Sequence, residues 1–183
     1  MEYLSLNRDI LVIGAIVGVN VVLLYLTLRR RPREGFRKAK VHRVLDGDTI
    51  IAISRWRKLV IRLGAIDCPE YGQHWGDTAK YGLIKLIGGR TIRIEQHDKD
   101  KYGRMVATIY VQSDGEREWV NVNARLVTLG HAWVYRQFYT YLPKHRRDEL
   151  NKLERWARTK RVGLWRTPNP IPPWDWRRNS SQS

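Results

Sequence analysis

Between residues 40 and 112 the sequence breaks into five short runs rich in Val, Ile and Leu, at about 40–45, 49–53, 58–66, 91–95 and 104–112. Each has the length of a β-strand. Turn residues punctuate them: Asp46-Gly47 between the first two, Gly88-Gly89 before the fourth, and Lys101-Tyr102-Gly103 before the fifth. Strands this short and this numerous point to a small barrel. Helical patterns interrupt and follow them. Segment 75–87 puts Ala79, Leu83 and Leu86 on one face, and segment 121–129 starts at an asparagine and stops at Gly130. Segment 143–161 opens on Pro143 and repeats apolar residues at Leu150, Leu153, Trp156 and Ala157 among many charges. That spacing predicts an amphipathic helix lying on the barrel.

The third run continues as LVIRLGAIDCPE from residue 59. Strand alternation turns Leu59, Ile61, Leu63 and Ala65 toward the core and Arg62 to the other face. Asp67 and Glu70 follow in the next turn, Asp46 and Asp48 sit in the first hairpin, and Arg104 opens the fifth run. Each alone is commonplace, since Asp-Gly-Asp is an ordinary turn and Arg104 an ordinary cation. Together they place acids and arginines at strand ends that barrel pairing can bring side by side. Two or three hard oxygen ligands suit Ca²⁺ or Mg²⁺ rather than zinc. Arginines beside such a cation match the charge that builds on an attacked phosphodiester, and a spare carboxylate can activate water.

The order and spacing of DGDT, IRLGAIDCPE and DKYGR resemble the staphylococcal nuclease (thermonuclease) family. The likeness continues through VNARLVTLGHAWVY to GLW at 163–165 and covers roughly residues 40–166. The resemblance implies an α+β fold, an OB-type five-stranded β-barrel with about three helices. It implies Ca²⁺-dependent hydrolysis of DNA and RNA with low sequence specificity, leaving a 3′-phosphate. Carried over residue by residue, Asp48 and Asp67 match the metal carboxylates, Cys68 offers its backbone carbonyl to the metal, and Asp46 is the outer-shell acid. Glu70 matches the general base, and Arg62 and Arg104 match the phosphate-binding arginines. Cys68 stands where the best-known relative has threonine, which adds a thiol expected to be oxidation-sensitive. A nucleotide-stacking surface is expected near Trp133–Tyr135. The rival reading is a catalytically silent OB-type scaffold that binds nucleic acid. Such a scaffold is expected to have lost some of Asp48, Asp67, Glu70, Arg62 and Arg104, and this chain keeps all five.

Outside that region, residues 10–28 form an uncharged 19-residue run, followed at once by Arg29, Arg30, Arg31 and Arg33. At about 1.5 Å per residue such a helix crosses a bilayer's hydrocarbon. The expectation is a single-pass membrane anchor with the main domain cytoplasmic by its positive flank, the external or periplasmic side left open. The implied organisation is a flank at 1–9, an anchor at 10–28, a basic linker at 29–39, the nuclease-like domain at 40–166 and a Pro/Trp-rich tail at 167–183. The tail is expected to be irregular, with Trp174 and Trp176 docking on the domain.

The chain holds 34 Lys+Arg against 18 Asp+Glu, and residues 34–183 alone hold 29 against 16. This excess favours a polyanionic partner, here DNA or RNA. The basic helix around Arg146, Arg147, Arg155 and Arg158 reads equally as a nucleic-acid track or a solvated face. One cysteine excludes an intramolecular disulfide and a multi-thiolate zinc site. The five histidines are scattered without metal-type spacing, and no motif points to a protein partner.

Overall fold

The computed structural model describes residues 36–113 and 118–180. Its strands are β1 (Arg37–Val44), β2 (Thr49–Ser54), β3 (Arg57–Leu63), β4 (Ile66–Asp67), β5 (Thr91–Lys99), β6 (Met105–Gln112), β7 (Trp119–Asn121) and β8 (Trp133–Val134). Its helices are α1 (Gly76–Ile87), α2 (Val122–Thr128), α3 (Lys144–Thr159) and α4 (Pro173–Ser180). The main sheet runs β3-β2-β1-β5-β6-β7, and β3 also pairs with β6. That last pairing is parallel, Ile61 against Met105 and Leu63 against Ala107, and closes a five-stranded barrel. The α+β, OB-type expectation holds.

Burial follows the alternation within the barrel. Ile50, Ala52, Ile61, Leu63, Ile92, Ala107 and Ile109 are wholly inside. The register offsets in β1 near His42 and in β5 near His97 are bulges, which bend short strands enough to close. Asn123 at the start of α2 ties the closure. Its Nδ2 donates to the carbonyls of Gly64 (2.9 Å) and Ala107 (3.2 Å), and its Oδ1 accepts from the Ile109 N–H (3.1 Å). All three bonds are buried, so the end of β3 is pinned to β6 from inside.

The run 58–66 is not one strand. Ala65 takes a left-handed φ of 63°, and the chain turns there before Ile66–Asp67 pair with Val134–Trp133. On α1 the inward face is Ala79, Leu83 and Ile87, with Leu86 only half-buried. On α3 Trp156 is exposed and Glu154 takes the inward position. Glu154 is buried because it accepts from the Val134 N–H (2.9 Å) and from Arg136 (2.6 Å). Three helices were expected and four are present among the described residues. The fourth is the tail, whose last part is helical rather than irregular. Pro173 suits a first helical position, Asp175 lies in the first turn, and Arg177 and Arg178 lie in the last.

The localisation requires correction. Among the described residues no helix is long and apolar enough to cross a membrane. The longest, α3, has 16 residues and is strongly charged, whereas a span needs about 20 apolar ones. The run 10–28 lies outside the described residues, so the single-pass membrane assignment, and the side it put the domain on, are withdrawn.

Candidate active site

The β1–β2 turn starts the site. Asp46 Oδ1 accepts from the N–H groups of Asp48 (3.0 Å) and Thr49 (2.7 Å), an arrangement that makes the acid a builder of the turn. Gly47 is required because a Cβ there would meet the Cys68 Cβ at 2.5 Å. This close approach lays the turn on Cys68. The Cys68 thiol donates to the Gly47 carbonyl (3.1 Å), and the Cys68 N–H donates to Asp48 Oδ2 (3.0 Å). Asp48 Oδ1 accepts from the Thr49 hydroxyl (3.1 Å).

Register brings Arg62 to the same place, opposite Thr49. Its Nη1 donates to the carbonyls of Leu63 (2.9 Å) and Ile66 (3.1 Å), and its Nη2 donates to Asp67 Oδ1 (2.6 Å). Asp48 Oδ2 stands 3.4 Å from Nη1. Burial works against the Arg62 charge, but Asp48 and Asp67 outweigh it and raise the pKa. Asp67 is 1% exposed. Burial first and the Asp48 charge second push its carboxyl up to about 6, with Arg177 and Arg62 pulling the other way. Asp46 is raised by burial and by Asp48.

Glu70 lies at the rim, its N–H bonded to Gln73 Oε1 (2.9 Å). Its carboxylate accepts from Arg177 of α4, and the other Arg177 nitrogen donates to Asp67 Oδ2 at 2.8 Å. Arg104 comes from the neighbouring strand end, just before Met105, which pairs with Ile61. Its guanidinium is held by Asp100 (2.7 Å) and lies over the Tyr102 ring (5.4 Å to the centroid). The structure therefore joins Asp46, Asp48, Arg62, Asp67 and Cys68 through direct contacts, and Glu70 to Asp67 through Arg177. It sets Arg104 on the adjacent strand with a partner of its own.

A family profile, Staphylococcal nuclease homologue, matches residues 60–167. The chain belongs to the staphylococcal nuclease family. A micrococcal nuclease of Shigella flexneri is 35% identical over 149 residues, 80% of this chain and 83% of that protein. An uncharacterized endonuclease of Escherichia coli O157:H7 is 38% identical over 138 residues, 75% of this chain and 83% of its own length. An uncharacterized endonuclease of Haemophilus influenzae is 32% identical over 174 residues, 94% and 87% respectively. As a staphylococcal nuclease homologue the chain is a phosphodiesterase that hydrolyses nucleic acid.

The donor set can be weighed against a hard cation. Asp48 and Asp67 are both more than nine-tenths buried, and the Asp48 charge disfavours ionisation of Asp67. A divalent cation removes that repulsion, and carboxylate oxygens suit calcium. Among the described residues no group of three or more His, Cys, Asp and Glu side chains is placed to hold a metal. Backbone carbonyl, water or phosphate oxygens have to complete a shell of six to eight. The residues fit calcium on these terms.

Cys68 departs from expectation. Its thiol is 4% exposed, and burial, with Asp48 and Asp67 adding to it, raises its pKa well above normal. A thiol that stays protonated and shielded is unreactive, so it is not an oxidation-sensitive group. His74 holds Thr167 (2.9 Å) rather than lining a metal site. The basic face of α3, open to reading as a nucleic-acid track or a solvated face, is partly spent on structure, with Arg146 on Glu95 (2.7 Å) and Arg158 against the Trp133 and Trp165 rings.

Sequence reasoning missed Arg177, Asp100 and Tyr141. Tyr141 packs its hydroxyl over Gly64, so tightly that a Cβ at Gly64 would collide with it. Asp100 carried a signal, because an Asp four residues before Arg104 in a tight turn is positioned to hold it. Arg177 carried none, since its partners lie 107 and 110 residues away.

Proposed function

We propose that this nuclease cuts DNA and RNA phosphodiesters with calcium and without reading base sequence. Asp48 and Asp67 would hold the cation, with the Cys68 carbonyl as a further oxygen and Asp46 behind them. The observation that carries this reading is Arg62 fixed against Asp67 with Asp48 facing it, a half-buried arginine shared by two buried acids. When bound, calcium supplies Lewis-acid charge to the attacked phosphate.

The remaining work falls to the chain's own groups. The described bonds use three of the five Arg62 N–H groups, which leaves two to meet a phosphate oxygen from a fixed position. Because the guanidinium is already anchored, little reorganisation is needed as charge develops. Arg104, aimed by Asp100, brings a second guanidinium from the next strand. Glu70 stands at the solvent edge, where it takes the proton of the attacking water. Low sequence specificity follows from a site whose charged groups address phosphate, not base edges.

The test is cleavage of single- and double-stranded DNA and of RNA by the full-length protein, in calcium, in magnesium and with a chelator. Arg62→Ala and Asp48→Asn are compared under the same conditions, with folding checked by circular dichroism. Calcium-dependent cutting that both variants lose is expected. Undiminished cutting with chelator, or in either variant, would overturn the assignment. Binding without cutting under every metal would favour the silent scaffold.

A further inference from the structure

Residues 167–180 return to the active site and are fastened there at several points. The Gln73 amide donates to the Ile171 carbonyl (2.7 Å), while its oxygen holds the Glu70 N–H. Pro173 is buried. Trp174 lies flat on Tyr135, ring centroids 5.2 Å apart with 4° between planes, and meets Trp133 edge-on at 5.7 Å. One turn on, Arg177 spans Asp67 and Glu70. The proposed function gives those two acids to a cation and an attacking water. The face of Tyr135 lies in the stretch Trp133–Tyr135 expected from the sequence to stack a nucleotide, and any base can stack on an aromatic ring.

Arg177 and a divalent cation compete for the same carboxylates. Both Asp67 oxygens are taken, Oδ1 by Arg62 and Oδ2 by Arg177. A cation needs one of them, and a guanidinium beside it adds repulsion. Arg62 is the fixed one, 15% exposed and tied to two backbone carbonyls. Arg177 is 41% exposed and rides on an eight-residue helix, so it is the group that leaves.

We propose that the C-terminal segment is an internal competitor for the active site. Arg177 stands in for the cation at Asp67 and Glu70, Trp174 stands in for a base on Tyr135, and metal and nucleic acid bind by displacing them. This inference rests on the reading of Asp67 and Glu70 given above. It makes the resting enzyme self-blocked, with the threshold for activity set by how tightly the tail holds.

The experiment uses full-length protein carrying Arg177→Gln, Arg177→Lys or Trp174→Ala. Calcium binding is measured by isothermal titration calorimetry without nucleic acid. Binding of a fluorescent single-stranded oligonucleotide is measured by anisotropy in chelator. Loss of the charge-assisted bonds is expected to tighten calcium binding about tenfold in Arg177→Gln, and less in Arg177→Lys, which keeps the charge. Trp174→Ala is expected to tighten oligonucleotide binding by several-fold, as a stacking competitor is removed. Calcium affinity unchanged or weakened in Arg177→Gln, in a wild type that binds calcium and cuts, would overturn the tail proposal alone. Wild type and Arg177→Gln both failing to bind calcium at millimolar concentration would overturn the calcium reading, and the tail proposal with it.

Discussion

Asp67→Asn is expected to change how stability depends on pH. In the folded, metal-free protein the Asp67 carboxyl is raised from 3.8 to about 6, chiefly by burial and then by Asp48. The unfolded chain therefore ionises this group first as pH rises, and binds fewer protons than the folded chain between the two values. Stability then falls with rising pH across that window, and the full penalty is present above about pH 6. Two pH units correspond to about 3 kcal/mol at most, and the part falling between about pH 4 and about pH 7.5 is about 2–3 kcal/mol. Asparagine cannot ionise, so the variant escapes this loss. Its altered contacts with Arg62 and Arg177 shift stability by an amount that depends little on pH and cancels from the comparison. Urea unfolding followed by tryptophan fluorescence, in chelator at both pH values, gives the stability difference between variant and wild type. That difference is expected to move in favour of the variant by about 2–3 kcal/mol on going to the higher pH. A flat difference, or one moving the other way, would mean that Arg62 and Arg177 outweigh burial and Asp48, and that the site does not store repulsion for a cation to relieve. Added calcium at the higher pH should then stabilise wild type and not the variant, by mass action.

Arg62→Lys keeps the charge but loses the planar fork, and kcat is expected to fall about 10²–10³-fold with a native circular-dichroism spectrum; cleavage within threefold of wild type would refute the fork's role. Asn123→Ala leaves the Gly64 and Ala107 carbonyls and the Ile109 N–H without their buried partner, which is expected to cost about 3 kcal/mol in urea unfolding. A cost under about 1 kcal/mol would show that water replaces the amide. Cys68 is expected to resist a thiol reagent at mildly alkaline pH in the native protein and to react fully in urea; rapid native labelling would contradict its burial.

The barrel was readable because β-strands announce themselves by alternation and turns by Asp-Gly and Gly-Gly. The acids and arginines proposed for the site drew notice through their shared order and spacing. Each alone is an ordinary turn residue or cation, and only the set, at strand ends that a barrel brings together, points to a site. What stayed hidden depends on partners distant in sequence. Ala65 adopts a left-handed turn that its side chain disfavours, so the break between β3 and β4 carried no local mark. Glu154 reads as a solvent-facing residue of a charged helix until Val134, 20 residues earlier, supplies its bond. Trp156 fits the apolar spacing of α3 yet lies outside the core, because the inward position went to that glutamate. Arg177 follows a proline-rich stretch expected to be irregular apart from its docked tryptophans, and only the folded chain shows where the arginine goes.

The two-residue pairing of Ile66–Asp67 with Val134–Trp133 has a consequence for when the enzyme becomes dangerous to its surroundings. On the ribosome, Asp48, Arg62 and Asp67 are made early, but the strand that seats Asp67 is not finished until residue 134. The carboxylate that pins that strand arrives with Glu154. A growing chain thus carries these acids for much of its synthesis without the support that aligns them. The guanidinium that covers them follows within the next few dozen residues. The order of synthesis therefore supplies the acids first, the pairing that seats Asp67 second and the covering guanidinium last.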